Sequence, residues 1–285
     1  MFKLKLTKSI FLIMKQKKQF KNYTAPALEK GLDILELLSN NESGLTQAEI
    51  ASKLNKSVNE IYRMVSTLRS REYVDFDQEA DLYRLSYKIL NMTARFEPVN
   101  TLTTRAIPIM KEMTTKANQS IHLAIYTKGK ILIIAQEDSP SSFNYHVSVG
   151  ATFDLLETSS GRVILTFQKE KERNRRLERR KFYKKIEKTS KIPDSQLRKI
   201  ESKFSKNTMQ NISQNGYELV KSLQIKGVTN ISVPIFDHTE NAIAALTIPF
   251  VDRIISKGEL NLKQVSKLLI SSGKILSSEM GYKVK

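Results

Sequence analysis

Two helix-capping signatures, eleven residues apart, constrain this chain more than any other feature it carries. Thr46 is followed at the third position by Glu49, and Ser57 by Glu60. In each pair the hydroxyl accepts a first-turn N–H while the carboxylate reaches back to the cap's own N–H. Leu45 and Ile50 add a hydrophobic staple around the first box. Two helix starts this close allow one short helix, ending near Leu54, and a tight turn at Asn55-Lys56. The second helix then presents Val58, Ile61, Tyr62, Val65 and Leu68 as a buried stripe to about Arg71, with Asn59, Arg63, Ser66 and Ser70 facing away. Upstream, Pro26 opens a helix in which Leu28, Leu32, Leu35 and Leu38 recur at helical spacing until the polar run Asn40 to Gly44. Downstream, residues 72–76 and 82–86 read as two strands around the polar turn Asp77 to Asp81. Three helices and a hairpin predict a winged helix-turn-helix over residues 24–86. Capped helix pairs also occur in bundles that never touch DNA, so protein contact remains a second reading of this unit.

Charge bears on that choice through its placement. The 285 residues carry 47 Lys plus Arg against 29 Asp plus Glu, a net +18 that suits a phosphate-rich partner. The first 21 residues hold seven Lys and no acid, and residues 169–206 hold sixteen bases and six acids. Residues 22–100 hold nine bases and twelve acids, so the expected reader is net acidic. Docking there rests on a local cluster of Lys56, Arg63, Arg69, Arg71 and Arg84. Residues 1–23 read as a basic tail; the apolar run Ser9 to Met14 is too short for a bilayer and leads into more Lys rather than a cleavage site. The expectation is a cytoplasmic protein with no membrane partner, and Met14 is a second possible start.

The chain has no Cys, and His122, His146 and His238 lie far apart without ligand spacing. Thiolate zinc, disulfides and a cysteine nucleophile are therefore excluded, and no cofactor or metal is expected. Neither a Gly-rich phosphate loop nor a G-x-S-x-G elbow is present, so no enzyme is expected.

Beyond the hairpin, a helical stretch from Ser86 to about Phe96 stops at Glu97-Pro98, giving a linker helix region over residues 87–102 before a helix from Thr103 to Ala117. Residues 103–285 then change character. Ile121 to Tyr126, Ile131 to Gln136, Tyr145 to Val149, Val228 to Phe236 and Ala242 to Ile248 alternate as strands, with helices starting near Ser159 and Glu259. Hairpin-like strand pairs between helices predict an α+β domain with an antiparallel sheet. The basic run at residues 169–191 interleaves Glu170, Glu172, Glu178 and Glu187 with its bases and has a thin apolar edge of Leu177, Phe182 and Ile186. It reads as a solvated helix, with a nucleic-acid patch as the sharper alternative.

Four segments, in order, give the chain a family likeness: YTAPALEKGLDILELL from Tyr23, EIYRMVSTL from Glu60, YRLS from Tyr83, and GVTNISVPIFD from Gly227. Over nearly all of residues 24–282 the chain resembles the IclR-type bacterial transcription regulators. The resemblance implies a homodimeric or tetrameric repressor or activator, with a winged helix-turn-helix joined by a helical linker to a GAF-like effector-binding domain. The implied partners are palindromic double-stranded operator DNA and a small organic acid. On the recognition helix beginning at Ser57 the base-reading positions are Asn59 and Arg63, suited to adenine and guanine, with Tyr62 beside them. Gln47, Lys56 and Arg69 are expected on phosphates, with Ser57 a further DNA contact at the helix start and Arg84 at the base of the wing. Effector contacts are implied at Leu155, Ser159, Ser160 and Gly161, in LLETSSGR, and at Val228, Asn230 and Thr247. Small residues at a helix start suit a carboxylate, since first-turn N–H groups and the helix dipole favour anions. The sequence departs from the family pattern at Asn230, where a small residue or Cys is usual, and at Leu156 and Glu157, where His and Ala are frequent. A Glu157 pointing inward would repel an anionic effector.

Overall fold

A computed structural model describes residues 25–95, 97–142, 144–187, 204, 206–253 and 259–283. The basic tail, with both candidate starts, and the last part of the 169–191 run lie outside the described residues. The chain divides into two compact units between Phe96 and Glu97.

In the first unit, α1 (Pro26–Ser39), α2 (Gln47–Leu54) and α3 (Val58–Ser70) precede a hairpin of β1 (Val74–Asp77) and β2 (Leu82–Leu85). Both capping boxes form as the spacing predicts: Thr46 accepts from the Glu49 N–H at 3.2 Å and Ser57 from the Glu60 N–H at 3.3 Å, each carboxylate returning to its cap's N–H. Asn55, in the left-handed region at φ 52°, closes α2 and makes the tight turn. The core is Ile34, Leu38, Leu45, Ile50, Ile61, Val65, Val74 and Tyr83. Two expected core sets need correction. On α1 the buried face is Gly31, Ile34 and Leu38, while Leu28 and Leu32 are 63% and 49% exposed. Two apolar registers interleave on this helix, and Gly31, having no side chain, hides the one that packs. On α3 only Ile61 and Val65 are fully buried; Val58 and Tyr62 stand in solvent.

Strand β1 starts and ends later than the residue pattern suggests, because Glu72 takes φ 60° and cannot extend, while β2 starts where expected and stops one residue short. Leu45 exchanges both backbone hydrogen bonds with Tyr83, adding a third strand segment to the hairpin. Gly44, at φ 86°, permits this approach, since a Cβ there would come within 2.8 Å of the Arg84 side chain and 3.0 Å of the Tyr83 carbonyl. A short helix, α4 (Lys88–Ala94), closes the unit.

The second unit opens with α5 (Glu97–Ala117). Glu97-Pro98 therefore begins a helix rather than a linker to Thr103, because proline in a first turn removes no intrahelical bond. Then come β3 (Ile121–Thr127), β4 (Lys130–Glu137), β5 (Thr152–Asp154), α6 (Ser159–Thr166), α7 (Glu170–Glu187), α8 (Lys206–Asn215), β6 (Glu218–Lys221), β7 (Val228–Phe236), β8 (Ala242–Val251) and α9 (Leu262–Glu279). The strands form one antiparallel sheet in the order β5-β4-β3-β8-β7-β6. Side-chain alternation gives the sheet two cores. Ile121, Leu123, Ile231, Val233, Leu246 and Ile248 pack with Ala106 and Met110 of α5 and Leu269 and Leu276 of α9. Ala124, Ile131, Ile133 and Ala245 pack with Val163, Ile164 and Leu165 of α6 on the other face. Tyr145 to Val149 forms no strand despite its alternation; the segment finds no ladder partner and lies over the α6 face, Val147 buried and Val149 exposed. Strand β6 and helix α8 had no counterpart among the expected elements.

Candidate functional site

The first unit positions one solvent-facing surface on α3. Asn59, Tyr62, Arg63 and Ser66, at i, i+3, i+4 and i+7, are all exposed, with Lys56 in the turn before them. Glu60, the acid nearest this face, is held by Lys30 at 2.5 Å, and that bond with those of the Ser57 cap lowers its carboxyl to about pKa 2. Arg63 is therefore not tied up by Glu60, the intradomain pairing open to it. Other expected contacts have structural partners. The Gln47 amide donates to the Val58 carbonyl at 3.0 Å and braces the turn between α2 and α3. The Ser57 hydroxyl is engaged in its cap. The Arg69 guanidinium lies 5.1 Å from the Phe76 ring centre, joining α3 to the wing. Arg84 donates to the Ser43 carbonyl and to Asp77, whose carboxyl is lowered first by the Ala80 N–H and then by Arg84. Lys56, Asn59, Tyr62 and Arg63 thus form the outward surface, and Gln47, Ser57, Arg69 and Arg84 hold it in shape.

The second site is built across the sheet. Registered partners place Gln136, His122, Thr247, Ser232 and Glu218 in one row over β4, β3, β8, β7 and β6. Helix α6 lays its first turn on this row. Ser159 Oγ lies 2.6 Å from Ser232 Oγ, which lies 2.7 Å from Thr247 Oγ1, and Ser160 Oγ lies 3.2 Å from the same Thr247 oxygen. All four hydroxyls are buried. At the end of the row, Arg162 binds Glu218 through Nε at 2.9 Å and the Leu156 carbonyl through Nη1. Burial raises the Glu218 carboxyl even though Arg162 opposes it.

Beside the row is a cavity of about 40 Å³ lined by His122, Thr158, Ser159, Ser160, Asn230, Thr247, Ser222, Gln224 and Tyr145, with Ile131, Ile133, Val147, Phe153 and Pro249 as apolar walls. No Lys, Arg, Asp or Glu lines it among the described residues. Thr158 caps α6 by accepting from the Gly161 N–H, so the Ser159 and Ser160 amides begin the helix without intrahelical acceptors. His122 is 8% exposed, its Nδ1 has no hydrogen-bond partner, and burial lowers it to about pKa 4, which keeps the imidazole neutral. Of the expected effector positions, Ser159, Ser160, Asn230 and Thr247 line the cavity. Leu155, Gly161 and Val228 do not; Leu155 and Gly161 instead shape the turn, where a Cβ on Gly161 would stand 1.9 Å from the Leu155 carbonyl oxygen. Glu157 is not in the lining either, so it does not point inward as that repulsion requires; its carboxyl is raised by burial and by Asp154, with Lys184 and Arg180 opposing.

The model of the IclR helix-turn-helix domain matches residues 27–78, and that of the bacterial transcriptional regulator IclR C-terminal region matches residues 99–277. The chain belongs to the IclR family. It is a transcriptional regulator with an effector-binding C-terminal domain, not an enzyme. The HTH-type transcriptional regulator KdgR of Escherichia coli K12 is 26% identical over 241 residues, covering 85% of this chain and 87% of KdgR. The glycerol operon regulatory protein of Streptomyces coelicolor is 23% identical over 84% of this chain and 91% of its own length. The Thermotoga maritima IclR crystal structure shares the fold at a TM-score of 0.66 and 24% identity, covering 90% of this chain and 98% of that one. An IclR homologue from Microbacterium hydrocarbonoxydans, crystallised as a complex with 4-hydroxybenzoate, superposes at 0.69 with 14% identity, covering 90% and 99%. No described helix of this IclR-family chain is long and apolar enough to cross a membrane.

Sequence reasoning missed His122, Tyr145, Thr158, Ser222 and Gln224. A signal for His122 existed: it is the polar member of an apolar strand, flanked by Ile121 and Leu123, where a polar residue in a buried alternation marks something facing it. Ser222 and Gln224 follow β6, a strand of four residues whose pattern is too short to read.

Proposed function

We propose that this chain binds palindromic operator DNA as a homodimer or tetramer and that a small carboxylate, bound where α6 meets the sheet, controls that binding. The observation that carries this reading is the buried, unpartnered Nδ1 of His122 beside the uncapped first-turn amides of α6, in a cavity free of fixed acids among the described residues. Those amides and the helix dipole favour an anion without a buried counter-charge, and the hydroxyls and the Asn230 and Gln224 amides suit further oxygens on the same molecule. A cavity of about 40 Å³ has room for only two or three waters. An organic acid enters as the segment Tyr145 to Val149, which covers it, moves outward. Tighter binding of the acid to the open than to the closed segment is the differential affinity that allosteric control requires. In the first unit, Asn59 and Arg63 read bases, Tyr62 packs beside them and Lys56 binds phosphate.

Mobility-shift titration of the full chain on duplex DNA from upstream of its own gene tests the reading. A sequence-dependent, salt-sensitive shift is expected, altered by at least one member of a panel of keto, hydroxy and aromatic acids that includes 4-hydroxybenzoate. Equal binding to scrambled duplex would sink the operator claim, and a shift that no carboxylate alters would sink the effector claim.

A further inference from the structure

Part of the charge excess that the reader does not use lies on α7, which carries nine bases and four acids. Part of this helix is pinned. Arg173 donates to the carbonyls of Leu165, Thr166 and Gln168 at the end of α6. Arg180, 3% exposed, holds both oxygens of Asp154 at 2.9 and 2.8 Å. Arg176 sits 4.5 Å from the centre of the Tyr126 ring and shares Glu172 with Arg175. These contacts fix the opposite face, on which Lys171, Arg175 and Arg179 are exposed at four-residue intervals. Lys128 joins them from the β3–β4 turn, since the adjacent Gly129 packs directly on the Arg179–Arg180 backbone, a Cβ there lying 2.6 Å from Arg180 Cα. Lys128, Lys171 and Arg179 pair with no described carboxylate, and among the described side chains the exposed acids of the helix are Glu170 and Glu178.

A row of bases on a clamped helix, about 6 Å apart along its axis, is a preorganised match for a regularly charged polyanion. We propose that this ridge is a second duplex-DNA surface, one that contacts phosphates only and adds sequence-independent affinity to that of the reader. Duplex DNA is favoured over an acidic protein because it is the polyanion a regulator of this family already meets, and because residues 22–100, which carry the recognition helix, hold nine bases against twelve acids and are short of the positive charge that DNA-phosphate binding requires. The ridge offers a repeating line of cations and no apolar groove, which suits a backbone and not a folded protein partner.

The test measures anisotropy of a labelled 40-base-pair duplex of arbitrary sequence against salt, using the full chain. The ridge variant is K128Q/K171Q/R175Q/R179Q, and the matched control, K111Q/K263Q/K267Q/K274Q, removes the same charge from exposed lysines elsewhere in the second unit. Four lost phosphate contacts lower the slope of log K against log salt by about 3.6, so between 50 and 200 mM salt the ridge variant loses roughly a hundredfold less affinity than the wild type. The control keeps the wild-type slope, and both variants keep the wild-type melting profile. Equal slopes for wild type and ridge variant overturn the proposal. So does a ridge variant that loses only polyglutamate binding, which would point to an acidic protein. Arg63→Ala, assayed alongside on the operator and on this duplex, relaxes discrimination at one operator base pair without changing the ridge contribution, which separates failure of the reader from failure of the ridge.

Discussion

The two units of this chain build their sites by opposite routes. In the first, the outward residues Lys56, Asn59, Tyr62 and Arg63 lie within eight positions, in and just before one helix whose start is set by the four-residue capping box from Ser57 to Glu60. In the second, the row that meets α6 joins His122 to Thr247 and Thr247 to Ser232 across three strands, and then reaches back to Ser159 and Ser160. A site carried by one helix inherits its geometry from local rules of capping and periodicity. One assembled by register depends on strand order, so a change in any partner displaces the others. The second site should therefore be the more fragile of the two.

The sharpest way to break that contrast is at the end of the row. Arg162→Ala leaves Glu218 buried with no counter-charge, and removal of one partner from such a pair costs about 3 to 5 kcal/mol. Chemical denaturation of the full chain checks it. The double variant R162M/E218M, which removes both charges, should recover most of the loss, and equal costs for single and double variants would show that the pair contributes nothing beyond its packing.

The same contrast explains what could be read in advance. Both capping boxes, the staple, the closing helix and the strand Val228–Phe236 follow from neighbours in sequence, as does the antiparallel hairpin of β3 and β4. Ser159, Ser160, Asn230 and Thr247 came from family likeness, not from spacing, and the geometry brings them to one cavity. His122 could not be placed there, because only the pairing of β3 with β8 sets it opposite Thr247. Tyr145 to Val149 misled for the same reason: alternation records which side chains face inward, and a covering loop satisfies it as well as a strand does. Leu28, Leu32, Val58 and Tyr62 show the converse, apolar or aromatic residues at helical spacing that the packing leaves outside.

A single methyl should also separate the two units. Gly161→Ala places a carbon against the Leu155 carbonyl, which is backbone and cannot rotate away, so α6 must lift from the row at a cost of about 3 kcal/mol. The matching change in the reader, Gly31→Ala on α1, meets nothing within 4 Å and is expected to be neutral or slightly stabilising, since alanine favours the helix. Denaturation midpoints of the two variants differ accordingly; equal midpoints would mean that the turn before α6 relaxes freely.

Within the reader, the outward residues divide by role rather than by stability. Arg63→Ala is expected to relax discrimination at one base pair by about 1 to 3 kcal/mol, whereas Lys56→Ala weakens binding to all sequences alike and lowers the salt slope by about 1. Competition binding with single-base operator variants distinguishes them, and a uniform loss for Arg63→Ala would move it from base to phosphate.

The smallest effect belongs to His122, and it is read in pH rather than in a midpoint. Its folded pKa of about 4 lies below the ordinary value of 6.5, so on acidification the unfolded chain takes up the proton first. Stability from this group is complete above about pH 6.5 and falls away as the pH drops toward 4. Between pH 7 and 5.5 the loss is about 1 kcal/mol, and His122→Asn should flatten the curve by that amount. Glu157 and Glu218 act in the opposite sense, because burial raises their carboxyls and the folded chain takes up their protons more readily than the unfolded one. The difference between wild type and variant removes both contributions and leaves that of His122. A bound anion on the imidazole would favour its charged form, so adding an effector at pH 5.5 should shrink the same difference. An unchanged difference at saturating effector would place the carboxylate away from His122 and leave the α6 amides as its only anchor.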